Sequence, residues 1–279
     1  MIRILVDSSS DYTVEEIKEK NIELVHIRIT LGEKTYIDGY DLGRDEFYEI
    51  LQNSKDFPQT SQPSPQSFLD IFKDVKEKGD ELICILLSSA LSGTYQSAVL
   101  AKNMTDYDSI YLIDSLSATY TIKVMADYAC RLREDGSSAA EITRKVENLK
   151  SRVKVLAALD TLEFLGRGGR ISKAAAAIGD LANIKPLITI SEEGKVEILG
   201  KCLGKNKAIH AILKRLEELG IDPDFPVYPI YSYGTENCAA FEKKLNTAGY
   251  STNDMLQIGS TIGTHIGPGA FGIIFVAAS

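Results

Sequence analysis

Four segments of the sequence gather hydroxyls, glycines and basic side chains in patterns able to hold an anion. Thr60, Ser61, Gln62 and Ser64 stand beside Pro63 and Pro65, where the chain is held extended and then enters a helix. Such a loop offers several donors to one anion, and it equally suits an ordinary helix cap and turn. Residues 88–95, SSALSGTY, follow the apolar run LICILLS and open a helical pattern. Ser92, Gly93 and Thr94 therefore fall at the end of a parallel strand among free backbone N–H groups, where a phosphate or carboxylate is favoured. Ser92 as a plain helix cap needs the same geometry.

Residues 259–272, GSTIGTHIGPGAFG, form the densest glycine segment and carry His265, followed by Gly267 and Gly269. The spacing predicts a loop here. Its imidazole can donate to a carboxylate and titrate near neutral pH, or be merely solvated. Gly267 to Gly272 match GxGxxG, but a strand and no helix follows, which excludes a dinucleotide fingerprint. Residues 164–172, FLGRGGRIS, set Arg167 and Arg170 around two glycines before a helix, a pattern that binds an anion or positions a loop. No GxxxxGK[ST] accompanies it, so nothing here holds ATP. The alanines at 174–177 reflect good helix formers or leave room for a narrow apolar ligand.

The elements that must position these segments follow α/β grammar in the first half. Residues 2–7, 24–30, 82–88 and 110–114 are apolar β-rich runs, interleaved with helical patterns, as in a mostly parallel sheet covered on both faces. Thr13 with Glu16, Ser64 with Pro65, and Ser138 with Glu141 mark helix starts. From about Val153 the grammar changes. KPLITISEEGKVEILGK, residues 185–201, is two β-rich runs about a Glu-Glu-Gly turn, an antiparallel hairpin that predicts a mixed sheet with helices on one face. The expected domains are residues 1–153 and 154–279, packed directly on each other with the ligand site between and within them.

With 279 residues, 44% of them apolar, the chain can bury two cores. A net charge of -8, with both signs mixed along the chain, gives no reason to expect nucleic acid and disfavours a bare anionic membrane. The start, MIRILVDSSSD, lacks the apolar stretch of a signal peptide, and no run approaches the roughly 20 apolar residues of a membrane span, so a soluble cytoplasmic protein is expected. Cys84, Cys130, Cys202 and Cys238 are widely spaced and form no ligand pattern, which predicts reduced thiols and no metal site.

DSSSD at residues 7–11, TSQPSP at 60–65, SSALSGTYQSA at 88–98, LGRGGRIS at 165–172, the Lys185-Pro186 step and GTHIGPGAFG at 263–272 together resemble the DegV family, in family order along nearly the whole chain. The resemblance implies a three-layer α/β/α domain followed by a two-layer α/β domain. It is similar to the fatty-acid-binding subunit of bacterial fatty acid kinase, which has no catalysis of its own. The implied ligand is one long-chain fatty acid, with no cofactor or metal. Its carboxylate would be held by Thr60, Ser92 and His265, with Ser61 an additional donor and Gly93, Thr94, Arg170, Gly267 and Gly269 in supporting loops. The implied partner is the kinase catalytic subunit, which supplies ATP. One departure stands out: kinase-competent members commonly have arginine where this chain has Leu203, between Lys201 and Lys205. A stand-alone enzyme using His265 on a small phosphorylated or carboxylated metabolite, and a lipid buffer without a kinase, are the competing functions.

Overall fold

The structure is a computed structural model and describes residues 1–177 and 183–278. In chain order the first half comprises β1 (Ile2–Asp7), α1 (Val14–Glu19), β2 (Ile22–Val25), β3 (Arg28–Leu31), β4 (Lys34–Ile37), α2 (Arg44–Asn53), β5 (Gln59–Ser61), α3 (Pro65–Lys78), β6 (Glu81–Leu86), α4 (Thr94–Thr105), β7 (Ile110–Asp114), α5 (Tyr120–Glu134) and α6 (Ala139–Lys150). The second comprises β8 (Val153–Ala158), α7 (Glu163–Arg167), α8 (Lys173–Ala177), β9 (Ile184–Ile190), β10 (Val196–Leu203), α9 (Lys205–Leu219), β11 (Tyr228–Tyr231), α10 (Glu236–Thr247), β12 (Leu256–Gln257), α11 (Ser260–Ile266) and β13 (Phe271–Val276).

The first sheet is parallel, in the order β2-β1-β6-β7. Its central strands read as unbroken apolar runs because both faces are covered. Alternation along each strand sends Leu5, Leu82, Cys84 and Leu86 toward α3 and α4, and Ile4, Val6, Ile83 and Ile85 toward α5 and α6. The result is three layers, α/β/α. Reciprocal capping boxes at Thr13/Glu16 and Ser138/Glu141, and Ser64 capping a helix with proline in its first turn, start α1, α6 and α3 where the residue types predict.

The second sheet is mixed, in the order β10-β9-β8-β13-β11-β12, and its hairpin β9-β10 turns at Gly194 with φ 76°. Leu156, Ala158, Phe271, Ile273 and Phe275 cover one face with α9 and α10. The opposite face, including Val155, Ala157, Ile188, Ile230 and Ile274, joins the core of the first domain. Helix α5 touches β1 and β6 on one side and β8 and β13 on the other, which explains why every residue from Tyr120 to Ala126 is buried. Lys123 is tolerated there through ion pairs with Glu16 and Asp127 at 2.8 and 3.1 Å and a place over the Tyr12 ring.

The single strand expected over residues 24–30 is corrected. The chain leaves the parallel sheet after Val25, and β3 begins a separate antiparallel sheet, β4-β3-β5. The apolar rhythm runs through both strands, and periodicity alone does not say which neighbour each will pair with. This small sheet sets the register Ile29↔Thr60, which places Thr60 at the domain interface.

Candidate functional site

A cavity of about 150 Å³ lies between the two sheets. Its apolar wall is built from alternate residues of one sheet face: Val155 and Ala157 of β8, Ile188 and Ile190 of β9, Val196 of β10 and Ile230 of β11. Ile27, Leu87 and Ala118 of the first domain face them. The pairings Ile188↔Ala157, Ala157↔Gly272 and Gly272↔Ile230 set two small residues between two isoleucines in one cross-strand row.

Polar lining comes from Thr60, Gln62, Ser92, Thr119, Arg170, Thr261 and His265. Thr60 Oγ1 and His265 Nε2 are hydrogen-bonded at 3.0 Å, joining a β5 hydroxyl to an imidazole 205 residues away. Ser92 Oγ lies 2.8 Å from Thr94 Oγ1 and accepts the Thr94 N–H at 3.3 Å. It is not the residue that caps α4; that position is Gly93, and the helix begins at Thr94. The loop turns tightly through Ser88, whose carbonyl accepts the N–H groups of Leu91 and Ser92, while Ser88 Oγ donates to Gly194 O of the β9-β10 turn at 2.8 Å. A Cβ on Gly93 would sit 1.9 Å from Gln62 Oε1, so glycine lets the Gln62 and Ser92 loops close on each other.

His265 corrects another expectation. It lies in a helix, α11, rather than in a loop, and only 9% of its surface is exposed. The glycines that suggested a loop instead allow close packing of this helix: a Cβ at Gly263 would fall 2.4 Å from the Tyr48 hydroxyl. Burial, reinforced by the positive charge of Arg170, pushes the imidazole down to about 3. It is therefore neutral near pH 7 and carries one ring N–H. Nδ1 has no hydrogen-bond partner among the described residues and is backed by Gly168, whose Cβ would lie 2.3 Å from it. With the proton on Nε2, the ring donates to Thr60 Oγ1, and the Thr60 hydroxyl hydrogen is free to point into the cavity.

Arg170 donates from Nε to Leu91 O at 3.1 Å and from Nη1 to Gly168 O at 2.5 Å. No carboxylate pairs with it among the described residues, and burial lowers its pKa. It is the one Lys or Arg among the described residues lining the cavity. Leu91, Arg170 and Val196 also border an open surface depression between the Ala90 loop, Ile171 and Glu197, so the polar end of the cavity lies next to solvent.

The remaining expected residues are placed differently. Ser61 points away, into a separate depression with His26, Arg28, Ser64 and Ser67, because adjacent strand residues face opposite sides. Thr94 is buried beneath Ser92. Gly267 and Gly269 do not line the cavity; both have positive φ, and side chains there would meet the Phe164 ring and the Asp160 carboxylate. Thr119 and Thr261 line the site although the residue patterns gave no sign of them. Their hydroxyls donate to the buried carboxylates of Asp11 and Asp38, both at 2.6 Å. Among the described residues no cluster of three or more His, Cys, Asp or Glu is arranged to hold a metal, and no helix is long and apolar enough to cross a membrane.

Comparison with known proteins adds an independent line. The family model described as "uncharacterised protein, DegV family" matches residues 1–278. A DegV domain-containing protein of Caldanaerobacter subterraneus subsp. tengcongensis is 36% identical over 276 residues, 98% of each chain. A Thermus thermophilus DegV family protein described as fatty-acid-binding superposes with a TM-score of 0.89 at 30% identity, covering 99% of both chains. A stearic-acid-binding protein from Eubacterium ventriosum gives a TM-score of 0.87 at 30% identity, covering 99% of this chain and 98% of the other.

Proposed function

Because the chain belongs to the DegV family, we propose that it is a cytoplasmic, non-catalytic carrier that buries one long-chain fatty acid and presents its carboxylate to a partner kinase. The observation that carries this reading is the cavity itself, apolar along the sheet face and lined at one end by the Thr60–His265 pair, Ser92 and Arg170. Tail and head have separate roles. Each buried methylene contributes about 0.8 kcal/mol, so a tail of roughly 14 supplies on the order of 10 kcal/mol before binding costs. The polar end then fixes register. Thr60 and Ser92 hydroxyls donate to the carboxylate oxygens, and the charge of Arg170, which no carboxylate among the described residues pairs, keeps the head ionised. An ionised carboxylate is a nucleophile toward a phosphoryl donor, and ATP would come from the partner.

A stand-alone enzyme would need His265 to work as an acid/base group near neutral pH. In the ligand-free protein burial and Arg170 push the ring below that range, and an anionic ligand would act the other way. The test is mass spectrometry of a solvent extract of the purified protein, followed by titration of delipidated protein with long-chain fatty acids. About one fatty acid per chain is expected. Protein that carries none and takes up none would overturn the carrier reading. Phosphorylation of the bound acid by a purified kinase subunit with ATP separates a kinase substrate carrier from a lipid buffer.

A further inference from the structure

The helix that carries His265 is held from the other domain. Arg44 Nη1 and the Tyr120 hydroxyl both donate to Gln257 O, at 2.9 and 2.6 Å, and the Tyr48 hydroxyl donates to Ile258 O at 3.0 Å. Asp11 Oδ1 accepts the N–H of Gly259 at 3.0 Å, across 248 residues of sequence. Gly259 is the N-cap of α11 and has no side chain to cap with, and Asp11 accepts its backbone N–H, as the N3 carboxylate of a capping box does. Asp38 Oδ2 accepts the Thr261 hydroxyl at 2.6 Å.

These anchors fix more than the start of the helix. Thr261 and His265 are four residues apart, one above the other on the same helix face, and both line the cavity. A bond that holds Thr261 in rotation therefore also aims the His265 ring. Helix α11 has only seven residues and no side chains at 259 and 263, where a Cβ would meet Asp11 Oδ1 at 2.3 Å and the Tyr48 hydroxyl at 2.4 Å. Its seat on the first domain combines this close packing with the hydrogen bonds above. The backbone bears the strain of this arrangement: Asp11 has φ 61° and Thr119 φ 59°, and the two are locked together through Thr119 Oγ1 and Asp11 Oδ2.

We propose that Asp11 and Asp38 are positioning residues of the headgroup site, fixing α11 in rotation and along its axis so that His265 Nε2 meets Thr60 Oγ1. The DSSSD segment thereby acquires a role: its last residue orders the far end of the site. The inference rests on the carrier reading for its ligand but not for its geometry.

The experiment compares wild type, Asp38→Ala, Asp11→Ala, Thr261→Val and Thr261→Ser. Delipidated proteins are titrated with palmitic acid and with its alcohol, and the His265 ring is followed by histidine-selective ¹⁵N NMR. Loss of one of these bonds should cut the preference for acid over alcohol roughly tenfold and move the His265 ring resonances, while Thr261→Ser keeps both. Folded Asp38→Ala and Asp11→Ala proteins with unchanged acid preference and unchanged His265 signals would overturn the inference, as would equal losses for acid and alcohol. If the aspartate variants do not fold, the Thr261→Val and Thr261→Ser pair decides on the same bond. If wild type binds neither ligand, the carrier reading fails, and the ring resonances still decide the positioning role.

Discussion

Ser92 and His265 contribute to the site in different ways. Ser92 Oγ lies 2.8 Å from Thr94 Oγ1, and with Thr94 as the donor it keeps a hydrogen to offer a carboxylate. Ser92→Ala should leave the fold intact and weaken fatty-acid binding by roughly 1.5–3 kcal/mol, the range for a hydrogen bond to a charged group. Isothermal titration of delipidated protein measures it, and unchanged affinity would assign the residue to loop structure alone. His265 should remain neutral in the ligand-free protein down to about pH 3, because burial and Arg170 both oppose its charged form. A ring titration by NMR with a midpoint near 6.5 would show that water reaches the imidazole.

Glycines govern how closely the elements approach the site. Gly168 has no positive φ, so alanine there tests contact rather than backbone strain, and its Cβ would lie 2.3 Å from His265 Nδ1 and 3.0 Å from Phe164 O. Neither neighbour yields easily, one being a buried ring and the other backbone. The atoms nearest a Cβ on Gly93 belong to the amide end of Gln62, which can swing away at the loss of its hydrogen bond to Ser97 Oγ. Gly168→Ala should therefore cost about 1–3 kcal/mol of stability and impair carboxylate binding, while Gly93→Ala costs less. Denaturant unfolding of both variants, with titration of palmitic acid, checks the order; the reverse order would mean that the loop around Gly168 moves more freely than its packing implies.

Across the whole molecule, the domain interface holds groups whose burial opposes charge. Asp11 is raised from 3.8 to about 7, chiefly by desolvation, with Arg44 and Thr119 acting the other way. A carboxyl that binds its proton more tightly when folded contributes stability fully present below 3.8, and this is lost as pH rises through about 7. His265 has the opposite sign: with its folded value near 3 and an ordinary value of 6.5, its contribution is lost as pH falls across that range. Relative to wild type, Asp11→Asn should gain stability as pH rises from about 4 to 7, and His265→Gln should lose it from about 3 to 6.5, as read by chemical unfolding at several pH values. At the same scale, Leu203 at the end of β10 is 59% exposed and offers neither charge nor donor to a partner. On the proposed kinase-carrier reading, Leu203→Arg should raise the rate of acyl-phosphate formation with a purified kinase subunit and leave fatty-acid affinity unchanged. Fast turnover by wild type and by Lys201→Ala and Lys205→Ala would show that no basic side chain is needed there.

Much of this arrangement was present in local chemistry. Capping residues, proline placement and apolar runs set α1, α3, α6, β1, β6 and the β9-β10 hairpin, because each depends on neighbours within a few residues. The resemblance to a family selected Thr60, Ser92 and His265, and the fold brings all three to one cavity. Other features depend on groups far apart in the chain. The split of β2 from β3 follows from strand pairing, Ser61 turns outward because Thr60 turns inward, and the helix that carries His265 starts at a glycine whose N–H is accepted by Asp11, 248 residues away. Local sequence specifies propensity and face. Which carboxylate reaches which helix, and how far burial moves a pKa, is decided only when two sheets close over a shared cavity.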